Sequence, residues 1–438
     1  MIVCVILLWV VMGLHILSPF SIYISGYHST MKLTREQLYA DLHAAYIEAR
    51  KHKRSRDYQQ QFERDMYWQL KYLCDELYER RYTPQPATCF TICDPKKREI
   101  VAAEFRDRIV HHLYYSYTHQ LFERTFIEDA YSCIESRGTH YGVKRLQQHI
   151  REESQNYTRP CYVLKMDIRG YFMGIDRKRL LELCRATLQK MSSHVISKGC
   201  TERWADRLDF DFIDYLTETI ILADPLKDCI CLGWPYRWQG LPDSKSLFHA
   251  KVGCGLPIGN LTSQLFSNVY LNVLDQWMKR TLHCRHYGRY VDDFYVVSCD
   301  REWLKALIPR VRTFLMDELG LTLHEGKTQL CNVMYGVSYL GAYLKPWRTY
   351  VSHQTLRRID KKIWLLKRTL PVVPSPDGRY KHVDGEHLRS SLSSILGLMR
   401  HHASWHLRGR LISEQLHPFE RYGFFDRERT KFIPYQGI

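Results

Sequence analysis

Two adjacent aspartates stand within a run of strand-forming residues, and this placement limits the possible folds more than any other feature of the chain. Asp292 and Asp293 lie in RYVDDFYVVS, residues 289–298, with β-branched and aromatic residues on both sides. Carboxylates at the tip of an apolar hairpin repel each other and lose hydration, so they are best tolerated where they share a cation. Because neighbouring residues of a strand point to opposite faces, only one of the two can face a given site directly. A metal site therefore needs a further carboxylate from elsewhere in the chain.

Asp167 offers that carboxylate. It lies in VLKMDIRGYF, directly after a mostly apolar run where a buried strand is expected to end. Two metal ions about 3.5–4 Å apart, held by shared carboxylates, can activate an attacking hydroxyl and stabilise a leaving pyrophosphate. In phosphoryl transfer, such positioning and charge compensation make up most of the catalysis. Asp167 alone could be a helix N-cap, and the Asp292–Asp293 pair a polar hairpin turn, but their order and apolar settings together favour a metal site.

The charge of the chain favours a polyanionic partner. Its 438 residues are 45% hydrophobic, enough for the cores of two or three domains, and 63 Lys+Arg against 47 Asp+Glu give a net charge of +16. Nucleic acid is the first candidate and a membrane surface the second, while charge that serves only solubility is the plain alternative. From Lys345 to Ile438 there are 18 Lys+Arg and 8 Asp+Glu, interleaved with aromatic residues. That mixture suits a groove for a phosphate backbone.

The cysteines and the N-terminal residues bear on the compartment. The fourteen cysteines form no pair of CxxC clusters, so we expect reduced thiols in a cytoplasmic protein. Residues 1–24 are apolar and long enough to span a bilayer, but they lack the basic flank and cleavage site of a signal peptide. Met31 opens a charged amphipathic helix, so we expect the functional protein to begin near Met31 and to have no membrane partner. A genuine membrane anchor is the alternative.

Helical and strand patterns alternate along the chain. Helical periodicity extends over 33–80 and predicts further helices over 106–126, 260–280 and 301–320. A strand, a turn and a helix are predicted for 161–184, and a hairpin for 286–300. A basic helix is predicted near the C-terminus, with an apolar stripe formed by Leu356, Ile359, Ile363, Leu366 and Leu370. The basic residues beside the stripe can be a solvated face, a binding face, or both.

The order of these motifs resembles the palm of reverse transcriptases. The strand-end Asp167 is followed by GLPIGNLTSQ, YVDD, LGLTLHEGKTQL and VSYLGAYL, and FRDRIVHHL and YSCIESRGTHYGV upstream resemble fingers motifs. The resemblance spans about 95–345 and implies an α+β, right-hand polymerase with fingers, a palm with an antiparallel sheet and a helical thumb. The expected division is a leader at 1–30, N-terminal helices at 31–84 that pack on the fingers or bind RNA, fingers at 85–160, palm at 161–345 and a basic thumb at 346–438.

Within that family the chain looks most like the enzymes of diversity-generating retroelements. Ser263 and Gln264 stand where group II intron and retroviral relatives usually carry Ser-Pro, and WQGLPDSKSLF also resembles that subgroup. The resemblance implies copying of a template RNA into cDNA with errors at template adenines, with a small basic accessory protein as partner. A group II intron-like or phage-defence reverse transcriptase is the alternative. An idle RNA-binding protein on the same scaffold is a further one, against which the three aspartates argue, and a membrane-anchored factor is suggested by residues 1–24 alone.

The resemblance also implies roles for single residues around the aspartates. Asp167 and Asp292 are the expected principal ligands of two Mg²⁺ ions, which Mn²⁺ can replace, and Asp293 is a third carboxylate nearby. Ile168, next to Asp167, belongs to the expected metal-binding set. The nucleotide side of the site is expected to include Phe172 as the aromatic gate against a 2′-hydroxyl, Tyr171 as the neighbouring ring that packs in the core or exchanges roles with it, and Lys327 beside the triphosphate.

Further contacts are implied for the template and the primer. Gly259 and Gln264 fall where relatives contact the nascent base pair and the template strand, and glycine allows close backbone approach. The basic face expected to hold template and primer comprises Arg357, Arg358, Lys361 and Lys362. One position departs from the family pattern: Ile134 stands where many relatives carry an arginine for the triphosphate. Arg137 or Lys144 could take that role, or nucleotide binding could be looser.

Overall fold

The computed structural model describes residues 31–51, 56–93, 96–370 and 384–435. The apolar leader at 1–30 lies outside this range, so neither the predicted start near Met31 nor the membrane alternative is addressed. The strands, in chain order, are β1 Thr88–Ile92, β2 Arg98–Ala102, β3 Tyr162–Arg169, β4 Ile230–Cys231, β5 Tyr287–Tyr290, β6 Asp293–Ser298, β7 Thr322–Leu323, β8 Gln329–Asn332, β9 Val337–Tyr339, β10 Ala342–Lys345, β11 Arg348–Val351, β12 Gly423–Phe425 and β13 Phe432–Pro434.

Helices make up most of the remaining structure. The α-helices are Arg35–Ala49, Asp57–Arg64, Met66–Tyr78, Phe105–Glu123, Thr139–Glu153, Tyr171–Gly174, Arg177–Ser192, Trp204–Arg207, Phe210–Leu222, Leu261–Gln276, Arg301–Leu319, His353–Thr369, Gly385–Met399 and Trp405–Arg410. The long helices predicted near 106–126, 260–280 and 301–320 are therefore present with shifted ends. The helix that begins at Leu261 continues as a π-helical turn over Trp277–Thr281.

A five-stranded antiparallel sheet carries the aspartates. Strand β3 lies at its centre, with β6 on one side and β7 and β8 one after the other on its opposite side. Strand β5 forms the predicted hairpin with β6 and lies at the edge. The order along the sheet therefore differs from the order along the chain, because β3 pairs with strands more than a hundred residues later.

Both faces of this sheet are buried, which explains why its strands are nearly continuously apolar. Successive side chains of β3 and β6 alternate between the two faces. The helices Leu261–Gln276 and Arg301–Leu319 share one hydrophobic cluster with the first face, and the helix Thr139–Glu153 shares another with the second. The first face carries Leu164, Met166, Phe294 and Val296, and the second carries Val163, Tyr295 and Val297.

The N-terminal helices pack on the rest of the molecule, one of the two alternatives predicted for them. The helix Arg35–Ala49 begins with a capping box at Thr34, which lowers the cost of its unpaired N-H groups. It lies against the helix Phe105–Glu123, and its buried residues Leu38, Leu42 and Tyr46 join the largest core. Next to this region, β1 pairs with β2 as an antiparallel hairpin and with β4 in parallel.

The C-terminal residues form a separate hydrophobic cluster. In the helix His353–Thr369 the predicted apolar stripe is buried at Ile359, Ile363 and Leu366, with Leu356 and Leu370 packed against it. Strands β9, β10 and β11 form a small antiparallel sheet that precedes this helix. The helical character and basic face predicted for this region are therefore present.

Two absences hold for the described residues. Every cysteine in them is a free thiol. In the same residues, no helix combines the length and the apolarity needed to cross a membrane.

Candidate active site

The register of the sheet brings two of the three aspartates side by side. Asp167 near the end of β3 lies directly opposite Asp293 at the start of β6. Residues directly opposite in an antiparallel pair project their side chains to the same face, with Cβ atoms about 4.5–5.5 Å apart. Asp292 lies in the turn just before β6, and its carbonyl oxygen accepts a hydrogen bond from the Ile168 N-H at 3.3 Å. All three carboxylates are thus at one end of the sheet.

Burial and mutual repulsion disturb the titration of these carboxyl groups. Burial raises the pKa of Asp292 to about 6, and the charge of Asp167 adds to the rise. Burial likewise raises the pKa of Asp293 to about 7, with Lys165 opposing the rise and Asp167 and Asp292 adding to it. The site therefore carries more negative charge than its surroundings compensate.

Lys327 supplies one positive charge at this place. Its Nζ lies 2.7 and 2.8 Å from the two carboxylate oxygens of Asp167. The lysine was expected beside a triphosphate, and its half-exposed side chain leaves it free to change partners. Two further cations partly oppose the rise in pKa caused by burial. Lys165 opposes it at Asp293, and Arg98 on β2 opposes it at Asp292. Of these two cations, only Lys165 stands out in the sequence, because it interrupts the apolar run of β3.

The donor chemistry fits a hard divalent cation. Carboxylate oxygens are the ligands that Mg²⁺ prefers, and three carboxylates lie at this end of the sheet. In the part of the chain that the structure describes, no three His, Cys, Asp or Glu side chains already surround a single ion position. A cation would therefore have to compete with Lys327 for the oxygens of Asp167. The buried side chain of Ile168 has no donor atom, so this residue could hold a cation only through its backbone carbonyl oxygen.

Arg289, the cation nearest to the aspartates in the sequence, is not available to them. Its guanidinium is fully buried and pairs with Asp275 through two hydrogen bonds of 2.6 and 2.8 Å. Asp275 lies on the helix Leu261–Gln276 and also accepts a hydrogen bond from the Tyr287 hydroxyl. This pair joins the hairpin to the helix behind it.

The two aromatic residues after Asp167 differ in burial. Tyr171 is buried, and its hydroxyl donates to the Ser267 carbonyl oxygen at 2.5 Å, as expected for the ring that packs in the core. Phe172 is half-buried and contacts Tyr171 edge-on, with ring centroids 5.4 Å apart. Its position between the core and the surface agrees with the predicted gate, which stays a prediction.

Gly259 and Gln264 lie at the start of the helix Leu261–Gln276. Gly259 has φ +132°, and a Cβ there would come within 3.0 Å of Ile100 on β2, so glycine is required by the close approach of the two segments. The carbonyl oxygen of Ile258 accepts a hydrogen bond from the Val101 N-H, which also joins this segment to β2. Gln264 is exposed although the residues that follow it are buried. Its side chain is therefore available for the predicted contact.

Arg137, one of the two residues expected to replace the missing triphosphate arginine, makes hydrogen bonds within its own loop. Ile134, at the position of the missing arginine, is buried. The Nη1 of Arg137 donates to the carbonyl oxygens of Ile127, Glu128 and Ala130 at 2.8–3.1 Å. Arg137 thus closes its own loop, and a role at the triphosphate would use its other nitrogens. Lys144 is exposed on the helix Thr139–Glu153.

The basic residues predicted to hold template and primer lie on the C-terminal basic helix, His353–Thr369. Their side chains are all exposed on the face opposite the buried stripe: Arg357, Arg358, Lys361 and Lys362. On the same helix the Arg368 guanidinium lies 4.2 Å from the centroid of the exposed Trp364 ring. A face that combines cations with an exposed aromatic ring suits a nucleic acid backbone.

Comparison with known proteins identifies the family. Residues 94–344 match the family model described as reverse transcriptase (RNA-dependent DNA polymerase), which is more than half of the chain. The chain belongs to the reverse transcriptase family. This match covers all three aspartates, Phe172 and Lys327. It confirms the predicted right-hand polymerase fold and, at the level of the family, the predicted RNA-directed DNA polymerase.

Individual relatives of this reverse transcriptase are distant. Protein YkfC of Escherichia coli (strain K12) is 24% identical over 307 residues, 62% of this chain and 70% of that protein. Among solved structures, apo telomerase from Candida tropicalis has 12% identity and a TM-score of 0.44, covering 76% of this chain and 60% of that one. Telomerase from Candida albicans in complex with a telomeric RNA fragment has 11% identity, a TM-score of 0.44 and coverages of 79% and 56%. The chain spans less than two thirds of these telomerase chains.

Proposed function

We propose that the protein is an RNA-directed DNA polymerase whose reaction takes place at Asp167, Asp292 and Asp293. The observation that supports this most strongly is the register of the sheet, which sets Asp167 opposite Asp293 with Asp292 in the adjoining turn. These residues come from segments more than a hundred residues apart, so their meeting is a property of the fold. The expected ions are Mg²⁺, with template RNA, cDNA and dNTPs as the partners at this site.

The residues around the carboxylates have complementary roles in this proposal. When bound, Mg²⁺ would activate the primer 3′-hydroxyl and compensate the charge of the leaving pyrophosphate. Asp167 and Asp292 would be the principal residues that hold these ions, and Asp293 would add a third carboxylate beside them. The ammonium of Lys327 exchanges Asp167 for the triphosphate when a nucleotide enters, since both partners are anionic. Phe172 packs beneath the sugar and leaves no room for a 2′-hydroxyl.

Primer extension on an RNA template tests this function. The purified protein is incubated with a DNA primer annealed to RNA, dNTPs and Mg²⁺, and the products are sequenced. We expect cDNA that is complementary to the template. Tight RNA binding without extension over a range of Mg²⁺ and Mn²⁺ concentrations would instead identify an RNA-binding protein on a polymerase scaffold.

We further propose that the enzyme serves a diversity-generating retroelement. The support is the Ser263-Gln264 pair, of which Ser263 is buried and Gln264 is exposed at the start of its helix. The buried Ile134 adds to it, because a site without that arginine holds the incoming nucleotide less tightly. Weak holding makes selection depend on pairing and stacking, and pairs with template adenine supply the least of both. A template RNA and a small basic accessory protein are the expected partners, and the cytoplasm is the expected location.

The error spectrum distinguishes this role from its alternatives. cDNA is made on the cognate RNA in the presence of the accessory protein and sequenced in depth. Misincorporation concentrated opposite adenine supports the retroelement role. Errors spread evenly over the four template bases would leave a group II intron-like or phage-defence reverse transcriptase.

A further inference from the structure

Val291, the residue between Tyr290 and the two aspartates, adopts a backbone conformation that valine normally avoids. Its φ is +54°, in the left-handed region. A β-branched side chain is strongly disfavoured there, so the conformation persists only where the surroundings impose it. The strain lies in the peptide unit that leads directly to Asp292. The contacts that impose it therefore also set the position of that carboxylate.

Two side chains hold the backbone of Val291 from opposite ends. The Val291 N-H donates to the hydroxyl oxygen of Ser132 at 3.1 Å. The Val291 carbonyl oxygen accepts a hydrogen bond from Arg289 Nη1 at 3.0 Å. Ser132 belongs to the loop that follows the helix Phe105–Glu123, and this loop runs beside β5 through the bonds from Tyr131 N-H to Arg289 O and from Arg289 N-H to Asp129 O.

Asn268 closes these contacts into a ring. Its Oδ1 accepts from Arg289 Nη1 at 3.2 Å and from the Ser132 hydroxyl at 3.3 Å, and its Nδ2 donates to the Ser132 carbonyl oxygen at 2.8 Å. Ser132, Asn268 and Arg289 are 2, 0 and 0% exposed. The ion pair with Asp275 fixes the guanidinium from behind. Every polar atom that touches Val291 is thus itself held in place.

We propose that Ser132 and Asn268 are positioning residues of the polymerase reaction, acting through the Val291 backbone on the carboxylate of Asp292. The inference rests on the proposed function and adds to it a link between the fingers loop and the reacting carboxylates. A ring that merely stabilised the core would not need to close on the one strained residue beside Asp292. The Ser132 hydroxyl is central because it accepts from Val291 and donates to Asn268.

The test compares two buried serines that do the same local work at different places. Ser154 is 1% exposed, and its hydroxyl oxygen accepts the N-H of Tyr157 at 2.8 Å, a residue whose φ is also positive at +66°. Ser132→Ala and Ser154→Ala therefore each remove one buried hydroxyl from one left-handed residue. Primer extension, the KM for dNTP, the dissociation constant of primer–template and the melting temperature are measured for both.

We expect Ser132→Ala to lower kcat by about 10–100-fold, since a displacement of about 1 Å can cost about 10²-fold. KM and primer–template affinity should remain within about twofold, because binding surfaces elsewhere are unchanged. Ser154→Ala should keep the wild-type kcat, and Ser132→Thr, which retains the hydroxyl, should recover most of it. If the wild type is active and the two alanine variants have equal kcat values, the inference is wrong and the proposed function still stands. A wild type that does not extend primers fails the proposed function instead.

A second variant covers the case in which Ser132→Ala does not fold. Val291→Gly removes the side chain that opposes a positive φ, and this relief offsets the loss of the contacts that the half-buried valine makes with the core, so the variant should still fold. Its kcat should nevertheless fall, because glycine lets the turn leave the conformation that positions Asp292. A stable Val291→Gly variant with wild-type kcat would show that the conformation of this turn does not control the reaction.

Discussion

Single residues set the charge of the candidate site. Asp167, Asp292 and Asp293 bring three carboxylates to one end of the sheet, and Lys327 contacts the first of them. Burial raises the pKa of the other two, so their charged forms are held at a cost in stability. A substitution that keeps the shape of the side chain but removes its charge therefore separates the chemistry from the folding.

We predict that Asp292→Asn abolishes polymerisation and leaves RNA binding largely intact. Metal ligands in phosphoryl transfer must be charged, and loss of one charge-stabilising group from an active site typically costs at least about 10²–10³-fold in rate. The melting temperature should not fall, because the variant no longer has to keep a charge in a buried position. Primer extension and filter binding on the same RNA measure the two effects.

The exposed Asp317 provides the matched control for this change. Asp317→Asn removes the same charge from the helix Arg301–Leu319 and should extend primers at the wild-type rate. Near-normal extension by Asp292→Asn would remove Asp292 from the active site.

We predict that Phe172→Ala admits ribonucleotides. Phe172 is half-buried beside the core ring of Tyr171, so a 2′-hydroxyl meets a fixed surface that alanine lacks. The ratio of kcat/KM for dNTP to kcat/KM for rNTP should decrease by about 10–200-fold, which is what one added group in a pocket is worth. Phe424→Ala, which truncates an exposed ring on β12, is the control. Unchanged discrimination in Phe172→Ala would assign the gate to another residue.

Local patterns predicted these residues better than their partners. The resemblance to reverse transcriptases pointed to Tyr171 and Phe172, and the structure separates them into a buried and a half-buried ring. The contact of Lys327 with Asp167 joins residues 160 positions apart, and no periodicity carries that information. The same holds for Arg289, which is close to the aspartates in the sequence but which the structure pairs with Asp275.

Elements were predictable where their signal is periodic. The hairpin of β5 and β6 follows from alternating strand-forming residues, and the stripe on the helix His353–Thr369 follows from helical spacing. The register between β3 and β6 was not predictable, because alternation fixes which face a residue occupies and leaves the partner strand open. The close approach of β2 to Gly259 was not predicted, since the glycine was expected to make room for the nascent base pair.

We predict that the C-terminal basic helix holds template and primer mainly through phosphates. Neutralising Arg357, Arg358, Lys361 and Lys362 together should weaken binding to many sequences alike. Each lost phosphate contact should reduce the slope of log affinity against log salt by up to about 0.9 for duplex DNA and about 0.7 for single strands. Titration of one primer–template at several salt concentrations gives both quantities.

Four basic residues on another helix control for net charge. They are exposed on the helix Arg301–Leu319: Arg301, Lys305, Arg310 and Arg312. Three of them already lie near Glu302 or Glu325, so their removal should leave the salt dependence unchanged. An unchanged slope in the C-terminal variant would mean that its basic face serves solubility alone.

At the scale of the whole molecule, three histidines connect the helix Thr139–Glu153 with the end of the helix Gly385–Met399. The rings of His140 and His401 lie 3.9 Å apart, and His402 lies 6.1 Å from His140. This contact joins the predicted fingers to the predicted thumb across some 260 positions of sequence. The only feature of the sequence that marks it is the His401-His402 doublet. Because histidine titrates near neutral pH, we expect the relation between the two regions to depend on pH.

Burial lowers the pKa of all three histidines, and the nearby Lys144 and Arg400 lower those of His140 and His401 further. The contact therefore favours neutral rings. Below the ordinary histidine pKa of about 6.5, the rings take up protons when the two regions are separated but resist protonation when they are in contact. The contact therefore weakens on acidification.

We predict that hydrogen exchange in the helix Gly385–Met399, corrected for intrinsic rates, speeds up between pH 7.5 and 5.5. The double variant His140→Phe/His401→Phe keeps two aromatic rings in contact without a titrating nitrogen on either and should lose most of this dependence. The variant His43→Phe, at an exposed position, should keep it. A double variant that responds to pH as strongly as the wild type would show that other groups control how these two regions meet.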